Sequence, residues 1–115
     1  MANTFKTITK AGVTSADVIY TVAGSTTTVV LGLMLGNTTG SAITATVTLG
    51  TNTANRAGNN DESNQDVELI TSTSIPANST LELLSGNKVV METTDTLSVT
   101  GSGSTDVALS VMEIT

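Results

Sequence analysis

The chain has no cysteine, no histidine and no tryptophan, and its only aromatic side chains are Phe5 and Tyr20. Without cysteine there are no disulfide staples and no thiolate metal site. Without histidine the commonest general base and the commonest metal ligand are both missing, which removes most enzyme readings. A core built from this chain has to be aliphatic, and the ring platforms that sugar sites usually exploit are nearly absent. Proline occurs once, at Pro76, and the basic side chains are Lys6, Lys10, Arg56 and Lys88. Against ten acids they leave a net charge of -6, a field that repels phosphate backbones, so no nucleic acid partner is expected. The longest apolar run, 29–35, is interrupted by Gly32 and falls far short of the roughly twenty residues needed to span a bilayer. No membrane role is expected. The opening Met-Ala-Asn-Thr-Phe-Lys lacks the charged and apolar regions of a secretory signal, so synthesis in the cytoplasm without export is expected. Absence of cysteine suits a reducing cytoplasm and equally a particle that persists outside a cell.

What the chain has in abundance is β-branched residues: 24 Thr, 12 Val and 6 Ile among 115 positions. Such side chains suit pleated, half-buried surfaces and disfavour helices, and no segment carries a helical period. The expected fold is all-β, a single domain over 1–115 in which about two-thirds of the unfolded chain's surface can be buried. Alternation and turn residues predict strands near 4–11, 17–23, 28–37, 43–49, 67–72, 79–84, 88–92, 96–100 and 106–114. Eight or nine short antiparallel strands favour a β-sandwich or jelly roll over a small closed barrel. The cleanest alternation is Ile43 to Leu49, with Ile43, Ala45, Val47 and Leu49 inward and Thr44, Thr46 and Thr48 outward. The preceding segment is apolar on both faces, with Val29, Leu31, Leu33 and Leu35 on one side and Val30, Gly32, Met34 and Gly36 on the other. It is expected to be buried twice over or to meet another subunit, and to form a hairpin with 43–49 across the Asn37 to Ser41 turn. The core residues expected from these patterns are Leu33, Leu35, Val47, Leu49, Leu97, Val99, Leu109 and Val111.

Residues 50–65 form a long polar loop with no apolar side chain larger than alanine, and loops of that length are usually functional, disordered or ordered only by a partner. Its end carries Asp61, Glu62, Asp66 and Glu68, an oxygen-rich run that makes Asp61, Glu62 and Asp66 weak Ca²⁺ candidates. The run lacks the glycine and the terminal glutamate of an EF-hand loop, and a solvated loop explains it better. Lys88 is a conceivable base for a hydrolytic serine, but it stands in a turn where lysines are ordinarily solvated. Glu82, Glu92 and Glu113 alternate with apolar neighbours and read as the wet faces of strands. Thr-x-Thr pairs lack the fixed interval of a threonine-lined solenoid, so plain strand alternation accounts for them. Asn37-Thr-Thr39 and Asn78-Ser-Thr80 match the glycosylation sequon, and with no export expected they are expected to be coincidences. No cofactor and no catalytic residue are expected. Charge is uneven: residues 1–60 are net +2 and residues 61–115 net -8. Strand edges this rich in Thr and Val need protection, which points to an assembly of copies.

The order of these phrases resembles the small virion structural proteins of tailed phages, particularly those of marine cyanobacteria. The likeness runs through the segments 4–13, 17–22, 29–40, 75–83, 88–92 and 106–115, most of the chain except the 50–65 loop. It implies a non-catalytic particle component located in the virion. The foremost role is a decoration or cement protein that binds the head as an oligomer, with a trimer expected, and stabilises the expanded shell by mass action. A neck or tail accessory protein is the alternative, as is a receptor-binding module acting through the 50–65 loop. The implied partners are further copies of the chain and the major capsid protein, or a neck or tail protein. Residues 1–10 are either the first strand or an extended arm that adds to the shell. The contact candidates are therefore Phe5, Lys6 and Lys10 on that segment and Arg56, Asn59, Asn60, Asp61 and Glu62 in the loop.

Overall fold

Alternating β-branched residues produce strands wherever the sequence pattern places them. A computed structural model describes residues 2–51, 66–84 and 86–115. Their elements are β1 (Asn3–Val13), β2 (Ala16–Thr21), β3 (Thr27–Asn37), β4 (Ile43–Gly50), β5 (Asp66–Ile75), β6 (Thr80–Leu83), β7 (Val89–Met91), β8 (Thr96–Gly101) and β9 (Thr105–Ile114). These make two antiparallel sheets, a five-stranded one in the order β1-β9-β3-β6 with β7 also on β3, and a four-stranded one in the order β2-β8-β4-β5. The chain passes from one sheet to the other at most connections, and the strand order is that of a jelly roll when β6 and β7 share one position.

The core lies between the sheets. Val30, Leu33, Leu35, Val107, Leu109 and Val111 from one side meet Ile43, Ala45, Val47, Leu97 and Val99 from the other. Seven of the eight expected core residues are completely buried, and Leu49 packs partly exposed at the margin. Ile75 and Met91 join them at similar depth. At the bottom of the sandwich Gly101 permits close approach, because a Cβ there would stand 2.7 Å from the Val13 carbonyl oxygen.

Two expectations are corrected. The first is the hairpin: β3 and β4 lie in different sheets, with β3 between β9 and β6/β7, and β4 between β8 and β5. The cause is Asn37, which ends β3 fully buried. Its side-chain Nδ2 donates to the carbonyls of Ser41, Ile75 and Pro76 at 2.8, 3.0 and 3.1 Å. Those bonds hold the 38–42 turn against the β5–β6 connection, so the chain crosses over the core instead of folding back. The same burial closes the Asn37 sequon to modification in the folded chain, whereas Asn78 is exposed in a turn at φ 58°.

The second correction concerns the faces of β3. Its register with β9 shifts between Val30 and Gly32, so Leu31 is the extra residue of a β-bulge. The bulge reverses the alternation. Thr28 and Val30 face the core before it and Leu33 and Leu35 after it, while Val29 and Met34 both face outward.

Candidate functional site

Sequence pattern and register together place every outward side chain, and the two outer faces differ in chemistry. On the five-stranded sheet, Phe5 pairs with Met112, Met112 with Val29, and Val29 with Val90. This row crosses four strands without a polar side chain. Phe5 is 70% exposed and Val90 54%. The parallel row Thr9, Ala108, Met34 and Glu82 adds Met34, which is 46% exposed. Between the rows, Thr7, Ser110 and Gly32 are small, and Leu31 lies beside them. The small residues leave a shallow trough whose two parts hold about 270 and 310 Å³. Phe5, Thr7 and Leu31 border the first part, and Leu31, Met34, Leu84 and Ala108 the second.

A polar cluster sits at one margin of the sandwich, on the inward side of β1 and β9. Lys6 Nζ lies 2.8 Å from Glu113 Oε1, and the Tyr20 hydroxyl donates to Glu113 Oε2 at 2.5 Å. The single phenolic proton is then used, so the Thr28 hydroxyl donates to the Tyr20 oxygen at 2.8 Å. Four strands, β1, β9, β2 and β3, are thereby linked through one carboxylate and one phenol. Glu113 is not on a wet face as its alternation suggests: its side chain is 13% exposed. The Lys6 ammonium, helped by the Tyr20 hydroxyl, holds its carboxyl below the usual carboxylate range. Burial, reinforced by the hydrogen bond to Glu113, pushes the Tyr20 phenol up to about 12. Nearby, Lys10 Nζ reaches Asp17 Oδ2 on β2 at 3.3 Å.

Lys6 and Lys10 are therefore inward-pointing charges on an edge strand, a device that discourages other chains from adding to that edge. Each is about half exposed and already has a carboxylate partner. Phe5, the third candidate on this segment, points the opposite way and begins the apolar row. Residues 3–10 thus lie in β1, which pairs with β9 along its length. Arg56, Asn59, Asn60, Asp61 and Glu62 lie outside the described residues, as does most of the 50–65 loop. Asp66 is exposed at the start of β5, opposite Gly50. Among the described residues no group of three or more acidic, histidine or cysteine side chains is placed to hold a metal ion. Lys88 is exposed beside β7. Tyr20, Thr28 and Glu113 were missed as a cluster. The available clue was that the lone tyrosine falls at an inward position of a strand, where its hydroxyl needs a partner.

No protein-family model matches the chain, and no curated protein matches it. A solved structure of Bacillus endospore appendages, described as forming a novel family of disulfide-linked pili, is similar over 99% of this chain and 87% of that one. Its sequence identity is 15% and its TM-score 0.48. Among the described residues no helix is long and apolar enough to cross a membrane.

Proposed function

We propose that the chain is a non-catalytic structural subunit of a virus particle, a decoration protein that binds the head of a tailed phage as an oligomer. The observation that carries the structural role is the apolar row Phe5, Met112, Val29 and Val90 on the outside of the five-stranded sheet. A contiguous apolar face on a small acidic domain is a surface made to be covered. Other features suit a passive load-bearing part: an aliphatic core, an ion pair between Lys10 and Asp17 of the two sheets, and the Lys6, Glu113, Tyr20 and Thr28 cluster whose polar groups bond one another. The phage assignment is supported by the sequence resemblance and by the jelly-roll strand order, which many capsid domains share with proteins of other functions. Binding adds buried area across joints between shell subunits and stabilises the assembled state by mass action, with no chemical step.

The test uses purified heads of a tailed phage of marine cyanobacteria, expanded and free of accessory proteins. The protein should cosediment with them and raise the temperature at which they release DNA. Binding to isolated tails or necks, with none to heads, would move the protein to the accessory role. Binding to neither, together with binding to host cells, would favour the receptor module.

A further inference from the structure

The apolar row and the trough lie side by side on one face, which makes that face complementary to itself. We propose that the outer face of the five-stranded sheet packs against the same face of a second copy, with Phe5 of each chain seated in the trough of the other beside Leu31, Met34 and Ala108. The proposal rests on the self-associating structural role argued above, and it names the surface and the symmetry.

Shape gives the first argument. Phe5 protrudes from the row at one end of the face, whereas the 310 Å³ part of the trough, floored by Gly32, opens toward β6 at the other side. A twofold axis through the middle of the sheet brings each ring over the partner's depression, the arrangement an isologous contact requires. Charge gives the second. A chain of net charge -6 repels its copies through most of its surface, so a contact is favoured on ground poor in acids. The Phe5 to Val90 row carries none. The outward acids of this sheet, Glu82 and Asp106, are displaced from that row toward the far end, opposite Met34 and Gly36 respectively, and Glu82 stands at the rim of the 310 Å³ part of the trough, where it meets the partner's Phe5 ring rather than a carboxylate. Lys6 and Lys10 face inward and do not interfere. Size gives the third. Three strands about 4.8 Å apart and eight residues long, with the short β6 and β7 sharing the fourth position, present roughly 500 Å², so a pair that covered the whole face would bury about 1,000 Å², the threshold for a specific interface.

Light scattering over a micromolar concentration series tests this. The full chain should appear as a pair near 23 kDa, twice 11.6 kDa. Phe5→Ser and Val90→Glu, both at exposed positions, should each weaken the pair by about tenfold or more while leaving the thermal melt of the monomer in place. Val18→Glu, on the outer face of the other sheet, should change nothing. A trimer near 35 kDa would overturn the twofold face while sparing the structural role. A monomer throughout the series would overturn the twofold face, while the structural role would still be decided by binding to heads. A pair that survives Phe5→Ser and Val90→Glu, or one that Val18→Glu dissolves, would overturn the choice of face alone.

Discussion

Across the five-stranded sheet the outward row Phe5, Met112, Val29 and Val90 is apolar on four successive strands. Across the four-stranded sheet the comparable row is Val18, Ser98, Thr48 and Glu68. Its neighbour is Ala16, Thr100 and Thr46. The inner faces of the two sheets are alike, aliphatic and closely packed, so folding demands nothing different of their outer faces. The difference teaches that the fold uses only one side of each sheet. A hydroxyl row keeps its hydrogen bonds to water at no cost, and desolvating it without new partners costs about 1–3 kcal/mol per group. An apolar row gains by the same desolvation. One sheet is thus finished against solvent and the other is not.

If the inner faces are equivalent, damage to either should cost the same. Leu109→Ala in the five-stranded sheet and Leu97→Ala in the four-stranded one remove fully buried side chains and should each destabilise by about 2–5 kcal/mol in chemical denaturation. Costs that differ by more than the spread of that range would break the claim that both sheets share one core evenly.

How much of this was legible in the sequence depends on how strongly each segment commits its two faces. Ile43 to Leu49 alternates apolar with threonine, so a one-residue slip would bury three hydroxyls, and which of its faces turns inward was readable directly. Thr28 to Asn37 is apolar on both faces, so alternation left its register open, and the Leu31 bulge went unseen. The turn after Asn37 looked like a hairpin because Asn, Thr and Gly favour turns whichever way the chain departs. What sends it to the other sheet is a buried amide bonded to carbonyls 38 and 39 residues away. Glu113 was misplaced for a similar reason: its partners Lys6 and Tyr20 are remote in sequence, and alternation alone ranks a carboxylate as wet. Most of the polar loop falls outside the described residues, so only Asp66 of the proposed cation ligands has a place in the fold.

The inter-sheet cluster gives a smaller effect with a definite pH signature. Tyr20→Phe removes the hydroxyl shared by Glu113 and Thr28 and should cost about 1–2 kcal/mol at neutral pH. Glu113 has a folded pKa below its unfolded value of 4.5, so its contribution is full above that pH and is lost as pH falls through the folded value. Tyr20 has the opposite sign. Its folded pKa, about 12 against 10.0 unfolded, means that its contribution is full below pH 10 and fades as pH rises toward 12. Urea midpoints followed across pH should therefore decline at both extremes. Glu113→Gln should flatten the acid limb, and an acid limb that is unchanged in that variant would show that the cluster does not tie the sheets together.

The smallest change in stability tests the contrast between the outer faces most directly. Thr48 and Ser98 face each other at the centre of the hydroxyl row, next to exposed Val18. The pair Thr48→Val and Ser98→Val would make three strands of that row apolar, and at such surface strand positions stability should shift by no more than about 0.5 kcal/mol. Introduced together with Val90→Glu, which blocks the other face, the two changes should restore concentration-dependent association in light scattering. Glu68, at the end of the row, should hold that new contact weaker than the native one, because two copies bring two carboxylates to its rim. Association that returns would show that an apolar row is sufficient to make either sheet adhesive. If none returns, row chemistry is insufficient, and the native face must also need the trough that Gly32 and Ser110 create beside Phe5.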